Sequence, residues 1–229
     1  CTSEEIKWLA ESLDTLAKPT PAPNDIATWP DSCSIIHDPH GVTSVIGPFN
    51  FPILLTLDPL AGSIAGGNCC MLKLSENAPQ VGHLLTSLLP RYLDMRCLAI
   101  NCEGSAPLVQ GLLKQPLDFV FFTGSRRVGT IVAEACSHRL CPSVLELGGK
   151  NPTFCDLETA DLPNAAKKIM WIKLLNNGQI CVDCDYLILI APTDPAKRKQ
   201  KVDHFVNLLK ASIRNLFGPI DFSMSDVYC

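Results

Sequence analysis

From residue 42 onward, short apolar segments alternate with longer segments of helical periodicity, and this alternation constrains the possible fold more than any other feature of the sequence. Strands are predicted at residues 42–46, 69–72, 97–100, 119–122, 144–147, 153–155 and 186–190. Helices are predicted at residues 53–65, 78–89, 109–113, 126–137, 160–175 and 197–216. Alternation at this spacing is typical of an α/β fold with a parallel sheet and helices on both faces. Ligands of such sheets usually bind beyond the carboxyl ends of the strands.

The residues before this region are predicted to form one amphipathic helix and a connection. Apolar side chains recur at three- and four-residue intervals on one face of the helix, at Ile6, Leu9, Leu13 and Leu16. The proline-rich run at 18–23 ends this helix and predicts a stiff, extended connection.

The composition excludes several classes of protein. Hydrophobic residues make up 47% of the 229 residues, which is enough for a packed core and excludes a disordered chain. The 23 acidic residues outnumber the 19 basic ones, so we expect no nucleic acid as a partner. We expect no membrane segment, because Asp58 and several prolines interrupt the longest apolar stretch, residues 42–72. We expect no signal peptide, because Glu4, Glu5 and Lys7 lie where its apolar part would begin. The 12 cysteines are irregularly spaced. We therefore expect a cytoplasmic protein in which most cysteines are reduced.

Two of the predicted strand ends carry polar residues that are suited to binding. The loop at 47–52, Gly-Pro-Phe-Asn-Phe-Pro, contains two prolines that stiffen it and fix the direction of Asn50. An amide N–H₂ held in this way can donate to a developing oxyanion, or the side chain can cap the loop in an Asx-turn. Lys73 and Glu76 follow the strand at 69–72, where they are spaced to grip ribose hydroxyls or to form an ordinary surface ion pair.

Two further strand ends lead into glycines. In the segment 122–129, Phe-Thr-Gly-Ser-Arg-Arg-Val-Gly, a strand runs into Gly124 and Ser125, and a helix that contains Gly129 begins just afterwards. Glycine allows close approach of the backbone, and a helix N-terminus offers unpaired N–H groups to a phosphate, although the segment also fits an ordinary strand–helix turn. Glu146 ends an apolar strand, where burial can raise the pKa of the carboxyl toward that of a general base, or where a charge marks the strand's exit into solvent.

One cysteine is a candidate nucleophile. The polar run that contains Gly178 breaks the preceding helix and places Cys181 in a loop between a helix and a strand, which suits a reactive thiol better than a helix interior does. With so many cysteines in the chain, an ordinary structural role is the alternative. Cys181 and Cys184 also form a C-x-x-C pair, which suggests a redox dithiol or half of a zinc site. We expect no metal, because no second such pair is present and the five histidines lack ligand spacing to this one.

The motifs together resemble a known family. They occur in this order: Gly-Pro-Phe-Asn-Phe-Pro at 47–52, Gly-Asn-x-x-x-Leu-Lys-x-Ser-Glu at 67–76, Phe-Thr-Gly-Ser-x-x-Val-Gly at 122–129, Leu-Glu-Leu-Gly-Gly-Lys-x-Pro at 145–152, and Asn-x-Gly-Gln-x-Cys at 176–181. The set resembles the NAD(P)-dependent aldehyde dehydrogenase superfamily. The residues around the motifs are most similar to the class 3, fatty-aldehyde branch. The resemblance runs from about residue 4 to about residue 217. It implies a Rossmann-like NAD(P)-binding domain at 1–146 and the incomplete start of a second α/β catalytic domain at 147–229.

The resemblance implies a role for each candidate catalytic residue. Cys181 would attack the aldehyde carbonyl as a thiolate, and the Asn50 amide and the Cys181 backbone N–H would hold the oxyanion. Transfer of hydride to the nicotinamide would leave a thioester. Glu146 would then activate the water that releases a carboxylic acid. A soft nucleophile, a fixed amide donor and a carboxylate base each suit one of these steps.

The resemblance also implies the cofactor and its contacts. The cofactor would be NAD or NADP, with Lys73 and Glu76 on the adenosine ribose. Gly124 and Ser125 would face the pyrophosphate, in the motif that ends at Gly129. The substrate would be a small-molecule aldehyde, and a homodimer is the assembly that the family suggests.

The chain departs from the family pattern in two respects. Family members are considerably longer, and no Glu-x-Phe-Gly motif, whose glutamate binds the nicotinamide ribose, occurs in this sequence. We therefore expect a chain truncated at both ends. Cys184 stands where the family usually has proline, and a disulfide with Cys181 would silence the nucleophile. The second hypothesis is a non-catalytic relative, a splice form or pseudo-enzyme, that binds nucleotide weakly or pairs with a partner chain.

Overall fold

A computed structural model describes residues 2–101 and 106–218 of the chain. The chain divides into two compact units, residues 1–147 and 148–229. The two functional domains with a boundary at 146, which the family resemblance implies, stay a prediction. Each unit has its own hydrophobic core and is described by itself.

The first unit contains five helices and seven strands among its described residues. Its helices are α1 (Thr2–Leu16), α2 (Leu54–Ala65), α3 (Pro79–Leu88), α4 (Ala106–Leu113) and α5 (Arg126–Ser137). Its strands are β1 (Thr20–Ala22), β2 (Cys33–Ile35), β3 (Val42–Ile46), β4 (Cys69–Lys73), β5 (Leu98–Asn101), β6 (Phe119–Gly124) and β7 (Ser143–Leu147). The second unit contains β8 (Pro152–Asp156), α6 (Leu162–Leu174), β9 (Tyr186–Ile190) and α7 (Pro195–Phe217).

Five strands of the first unit form one parallel sheet in the order β5-β4-β3-β6-β7. The predicted parallel sheet is therefore confirmed. The chain builds the sheet outward from β3 to β4 and β5, and then returns to add β6 and β7 on the other side of β3. The strand order reverses between β3 and β6, and in open α/β sheets the crevice at such a reversal is where ligands bind.

Helices cover both faces of this sheet, as predicted. Alternate residues along a strand point to opposite faces, so Val45 and Ile46 of β3 enter different cores. On one face, Val45 and Leu72 pack against Leu60 of α2 and Leu85 of α3. On the other face, the core contains Ile46, Val120, Phe122, Leu113 of α4 and Val132 of α5. Burial on both faces explains why these strands are almost continuously apolar in sequence.

The second unit pairs β8 and β9 in parallel and packs them against two helices. Its core contains Cys155 of β8, Ala166 and Ile169 of α6, and Phe205 of α7, and Phe205 is completely buried. Aspartates cap the two helices: Asp161 accepts from the Asn164 N–H, and Asp194 accepts from the Lys197 N–H. A proline follows each cap, which moves the helix starts to 162 and 195 rather than the predicted 160 and 197.

The sequence pattern did not predict the two-stranded sheet formed by β1 and β2. Residues 20–22 are extended, as predicted for the proline-rich run, but they also pair antiparallel with residues 33–35. The pairing escapes the sequence pattern because each strand has only three residues and Pro21 lies in the middle of one of them. Within residues 2–101 and 106–218, no helix combines the length and the apolar run that crossing a membrane requires.

Candidate active site

The first unit brings its predicted site residues to the carboxyl edge of the five-stranded sheet or just beyond it. This follows from the parallel topology, because every strand of the sheet ends at the same edge. Asn50 lies in the loop after β3, while Lys73 ends β4 and Glu76 follows it. The remaining residues lie at the ends of β6 and β7 and in the first turns of α5: Gly124, Ser125, Gly129 and Glu146.

The loop that carries Asn50 begins at a tight contact. The Gly47 N–H donates to the Lys73 carbonyl at 2.9 Å, which continues the pairing of β3 with β4 by one residue. A Cβ at Gly47 would lie 2.0 Å from Oγ1 of Thr56, so only glycine lets α2 pack this closely against the strand end. Asn50 follows three residues later and is half-buried. The sequence predicted that two prolines stiffen this loop. The structure adds that the close packing at Gly47 fixes where the loop starts.

Lys73 and Glu76 form an ion pair beside a cavity. Nζ of Lys73 donates to Oε2 of Glu76, and Lys73 is buried while Glu76 is exposed. Burial alone would raise the pKa of Glu76, but the hydrogen bond and charge of Lys73 outweigh it and hold the pKa below its usual range. The cavity has a volume of about 410 Å³ and lies between the ends of β4 and β5 and helix α4. Lys73 contributes its charged lining, and Ile100, Pro107 and Leu108 are among its apolar lining residues.

The β6–α5 turn combines a helix cap with two close contacts. Oγ of Ser125 accepts from the Val128 N–H at 3.3 Å, so the serine caps α5. A Cβ at Gly124 would lie 2.6 Å from Cζ of Phe122, and one at Gly129 would lie 2.6 Å from Cδ2 of Leu147. The second contact lets α5 pack directly on β7. The helix cap and the close packing are ordinary features of a strand–helix turn. This turn also places the N-terminus of α5 next to the point where the strand order reverses.

Glu146 is exposed, which agrees with the alternative that a charge marks the strand's exit into solvent and not with a buried carboxyl. It lies on β7, which is an edge strand of the sheet, opposite Thr123 of β6. Exposed and half-buried residues alternate along β7, so Leu145 and Leu147 pack inward while Glu146 points to the other side. Leu145 and Leu147, the neighbours of Glu146 along the strand, thus lie on the opposite face from it.

Cys181 lies in a turn of the second unit, between α6 and β9, as predicted. Helix α6 ends at Leu174, and three successive residues with positive φ follow shortly after it: Asn176 at 51°, Asn177 at 56° and Gly178 at 75°. This left-handed run is favoured by asparagine and glycine, and it stops the helix before Cys181. Cys181 is half-buried and Cys184 is 8% exposed. Nine of the 12 cysteines are described, and all nine are free thiols.

An ionic network supports the Cys181 turn. Nζ of Lys173, near the end of α6, lies 2.9 Å from Oδ2 of Asp183 and 3.9 Å from Oδ1 of Asp185. Asp183 is only 3% exposed, so its carboxylate is largely shielded from water and Lys173 is its charged partner. The hydrogen bond to Asp183 is the main cause that raises the pKa of Lys173 above its ordinary value, and the charges of Asp183 and Asp185 add to it.

Asn151 also contacts the turn, since its Nδ2 donates to the Cys181 carbonyl at 2.8 Å. Sequence reasoning missed Asn151, Lys173, Asp183 and Asp185 as site residues. Lys173 and Asp183 lie ten residues apart, which is too far for a recognisable helix-face pair, and the positive-φ run brings them together. The one available signal was the unusual density of charge, Asp-Cys-Asp, immediately before a strand at 183–185.

Replacing Lys173 with methionine is expected to lower the free energy of unfolding by about 2–3 kcal/mol, because it leaves the Asp183 carboxylate buried without its partner. Chemical denaturation measures the loss. The matched control is Lys199→Met, which removes an ammonium from the exposed pair with Asp203 and should cost less than about 0.5 kcal/mol. Adding Asp183→Asn to the Lys173 variant should restore part of the stability. Equal losses in the Lys173 and Lys199 variants would contradict this account.

No group of three or more histidine, cysteine, aspartate or glutamate side chains that could hold a metal ion occurs among the described residues. The Cys181–Cys184 pair therefore has no further candidate ligands within the part of the chain that the structure covers.

Known proteins share both the sequence and the fold. The sequence matches the model of the aldehyde dehydrogenase family over residues 2–216. Aldehyde dehydrogenase family 3 comG of Dictyostelium discoideum is 41% identical over 189 residues, which are 82% of this chain and 38% of the relative. The dimeric NADP-preferring aldehyde dehydrogenase of Canis lupus familiaris is 36% identical over 215 residues, which are 94% of this chain and 45% of the relative. The substrate-bound structure of AldH from Staphylococcus aureus matches with a TM-score of 0.87 at 32% identity, over 98% of this chain and 46% of that chain. The chain thus spans about two fifths of the length of the relatives it matches.

Proposed function

Because the chain belongs to the aldehyde dehydrogenase family, we propose that it carries the residues that oxidise an aldehyde to a carboxylic acid with NAD or NADP as the acceptor. The observation that carries this proposal is the position of Cys181. It is a half-buried free thiol in a turn that three left-handed residues and a buried ion pair hold in place. We assign the first unit to cofactor binding and the second to the nucleophile.

The first chemical step is assigned to Cys181 and two donors. Its thiolate attacks the carbonyl carbon of the aldehyde, a new S–C bond forms, and the carbonyl oxygen becomes an oxyanion. The Asn50 side-chain amide and the Cys181 backbone N–H donate to this oxyanion. The stiff entry to the Asn50 loop at Gly47 supports this assignment, because an oxyanion donor stabilises charge most when it is fixed before the reaction.

The second chemical step is assigned to Glu146. Loss of hydride from the tetrahedral adduct leaves a thioester on Cys181, which water must hydrolyse. The Glu146 carboxylate accepts a proton from that water, the resulting hydroxide attacks the thioester carbon, and the S–C bond breaks to release the acid and the thiolate. The exposure of Glu146 supports this role, because a general base for hydrolysis must be reachable by water.

The carboxyl edge of the first unit fits a dinucleotide. Bound there, the nicotinamide supplies the two-electron acceptor for the reaction. We assign the adenine to the cavity of about 410 Å³ beside α4, because its lining is mainly apolar and includes Lys73. The ribose hydroxyls are assigned to Lys73 and Glu76, and the pyrophosphate to Gly124 and Ser125 at the start of α5. The name of the canine relative, which is dimeric and NADP-preferring, supports NADP as a cofactor and the homodimer that the family resemblance suggests.

Replacing Glu76 with glutamine is expected to shift cofactor preference toward NADP by about fivefold, because it removes a negative charge close to the position of a ribose 2′-phosphate. Calorimetric titration with both cofactors gives the ratio of their dissociation constants. Glu158→Gln, which removes an exposed carboxylate in the second unit, is the control and should leave the ratio unchanged. An unchanged ratio in the Glu76 variant would remove this residue from the ribose site.

The second candidate is a non-catalytic chain that binds nucleotide or pairs with a partner. Since the chain spans 38% to 45% of the length of its relatives, nucleotide binding and turnover are measured separately. The two candidates predict different results when the purified chain meets a medium-chain aldehyde and NAD or NADP. Formation of reduced cofactor supports the dehydrogenase. Thermal stabilisation by the cofactor without turnover supports the non-catalytic chain. Cytoplasmic location stays a prediction from the sequence.

A further inference from the structure

We propose that Asn151 is a positioning residue for Cys181, and that Gly149 is glycine because the Asn151 amide occupies the space that a side chain there would need. The proposal deepens the proposed function and rests on it for its catalytic consequence. The structural part concerns only the second unit and can be tested without turnover.

The contact that carries the inference is the hydrogen bond from Nδ2 of Asn151 to the Cys181 carbonyl, with a length of 2.8 Å. This carbonyl is bonded to the Cα that also carries the thiol side chain. Holding the carbonyl restricts rotation about the Cα–C bond of Cys181 and so holds the position of the Cα–Cβ bond from which the thiol extends. A nucleophile needs such restriction, because a displacement of about 1 Å can cost around a hundredfold in rate.

Asn151 is itself held at both of its backbone groups. Its N–H donates to Oδ2 of Asp185 at 2.9 Å, and the Asp185 N–H donates to its carbonyl at 3.0 Å. Asp185 lies just beyond the Cys181 turn, and its other carboxylate oxygen faces Lys173. Asn151 is therefore hydrogen-bonded both to Cys181, within the turn, and to Asp185, where the chain enters β9.

Gly149 explains how the Asn151 side chain reaches the turn. A Cβ at Gly149 would lie 2.7 Å from Oδ1 and 2.9 Å from Nδ2 of Asn151, which is closer than real Cβ contacts allow. A Cβ at the neighbouring Gly148 would meet no described atom within 4 Å. Neither glycine has a positive φ, so the difference between them is one of space and not of backbone conformation. The pair of glycines thus offers a variant and a matched control in adjacent positions.

Hydrogen–deuterium exchange of the turn at 178–184 tests the structural part. Asn151→Ala, Asn151→Asp and Gly149→Ala should each make this segment exchange about fivefold faster, which is the effect of losing one net hydrogen bond. Gly148→Ala should change the rate by less than about twofold. Helix α7 should keep its protection in all four variants. If Asn151→Ala lowers protection throughout the unit, Gly149→Ala carries the comparison, since it displaces the Asn151 amide without removing it or adding a charge. Exchange in Asn151→Asp and Gly149→Ala that equals exchange in Gly148→Ala would overturn the proposal.

Steady-state kinetics test the catalytic consequence. A positioning role predicts that Asn151→Ala and Gly149→Ala each lower kcat by about tenfold to a hundredfold while KM for the aldehyde changes little. A role in stability alone predicts unchanged kcat per folded molecule. Faster exchange together with an unchanged kcat would support the hydrogen bond between Asn151 and Cys181 but reject a positioning role for Asn151 in catalysis. If the unsubstituted chain shows no turnover, the proposed function fails while the exchange result still decides whether Asn151 holds the turn.

Discussion

Replacing Cys181 with alanine is expected to lower aldehyde-dependent formation of reduced cofactor by on the order of a thousandfold or more, because no other group can take over the covalent step. The loss should appear in kcat, with cofactor affinity retained, since the residues assigned to the dinucleotide belong to the first unit. The absorbance of the reduced nicotinamide gives the rate directly.

Cys184→Ala is the matched control for this substitution. It removes a thiol three residues away that is 8% exposed and belongs to the core of the second unit, so it should cost some stability and leave most of the turnover. A redox dithiol formed by the two cysteines predicts the opposite pattern, with equal loss of thiol–disulfide exchange in both variants. Retention of aldehyde oxidation in the Cys181 variant would end the assignment of this residue as the nucleophile.

Replacing Glu146 with glutamine is expected to leave the first turnover and to lower steady-state turnover by about a hundredfold to ten-thousandfold, because a general base contributes about that factor to its step. Rapid mixing should therefore show a burst of about one reduced cofactor per active chain, followed by a slow phase. Glu134→Gln, which changes an exposed carboxylate on α5, should show no burst and normal turnover. A variant at Glu146 that lost the burst as well would place this carboxylate in the first step.

Much of the fold follows from the sequence because periodicity and strand-end residues act locally. The parallel sheet of the first unit was predictable from short apolar runs such as residues 119–122, which are buried on both faces and so lack alternation. The pairing of β1 with β2 was not predictable, because three-residue strands separated by ten residues leave no periodic signal. Helix starts moved by two residues where an Asp-Pro or Asp-Leu-Pro cap overrode the apolar pattern.

The candidate site was predictable to a smaller extent. Motifs located residues such as Asn50 and Cys181 in loops, where the structure also has them. They gave no indication of the Lys173–Asp183 pair or of the Asn151 contact, because these join residues 10 and 30 positions apart through a left-handed turn. The exposure of Glu146 depends on which face of β7 it occupies, and that is set by the packing of Leu145 and Leu147 against α5 and its neighbours.

The central claim is that Cys181 forms a covalent acyl intermediate that Glu146 helps to hydrolyse. The most direct test mixes the Glu146→Gln variant with an aldehyde and NAD or NADP, stops the reaction with acid, and identifies modified peptides by mass spectrometry. The account predicts an acyl group, the aldehyde less one hydrogen, on the peptide that contains Cys181. An acyl group on another cysteine, or none on Cys181 although reduced cofactor is formed, would contradict it.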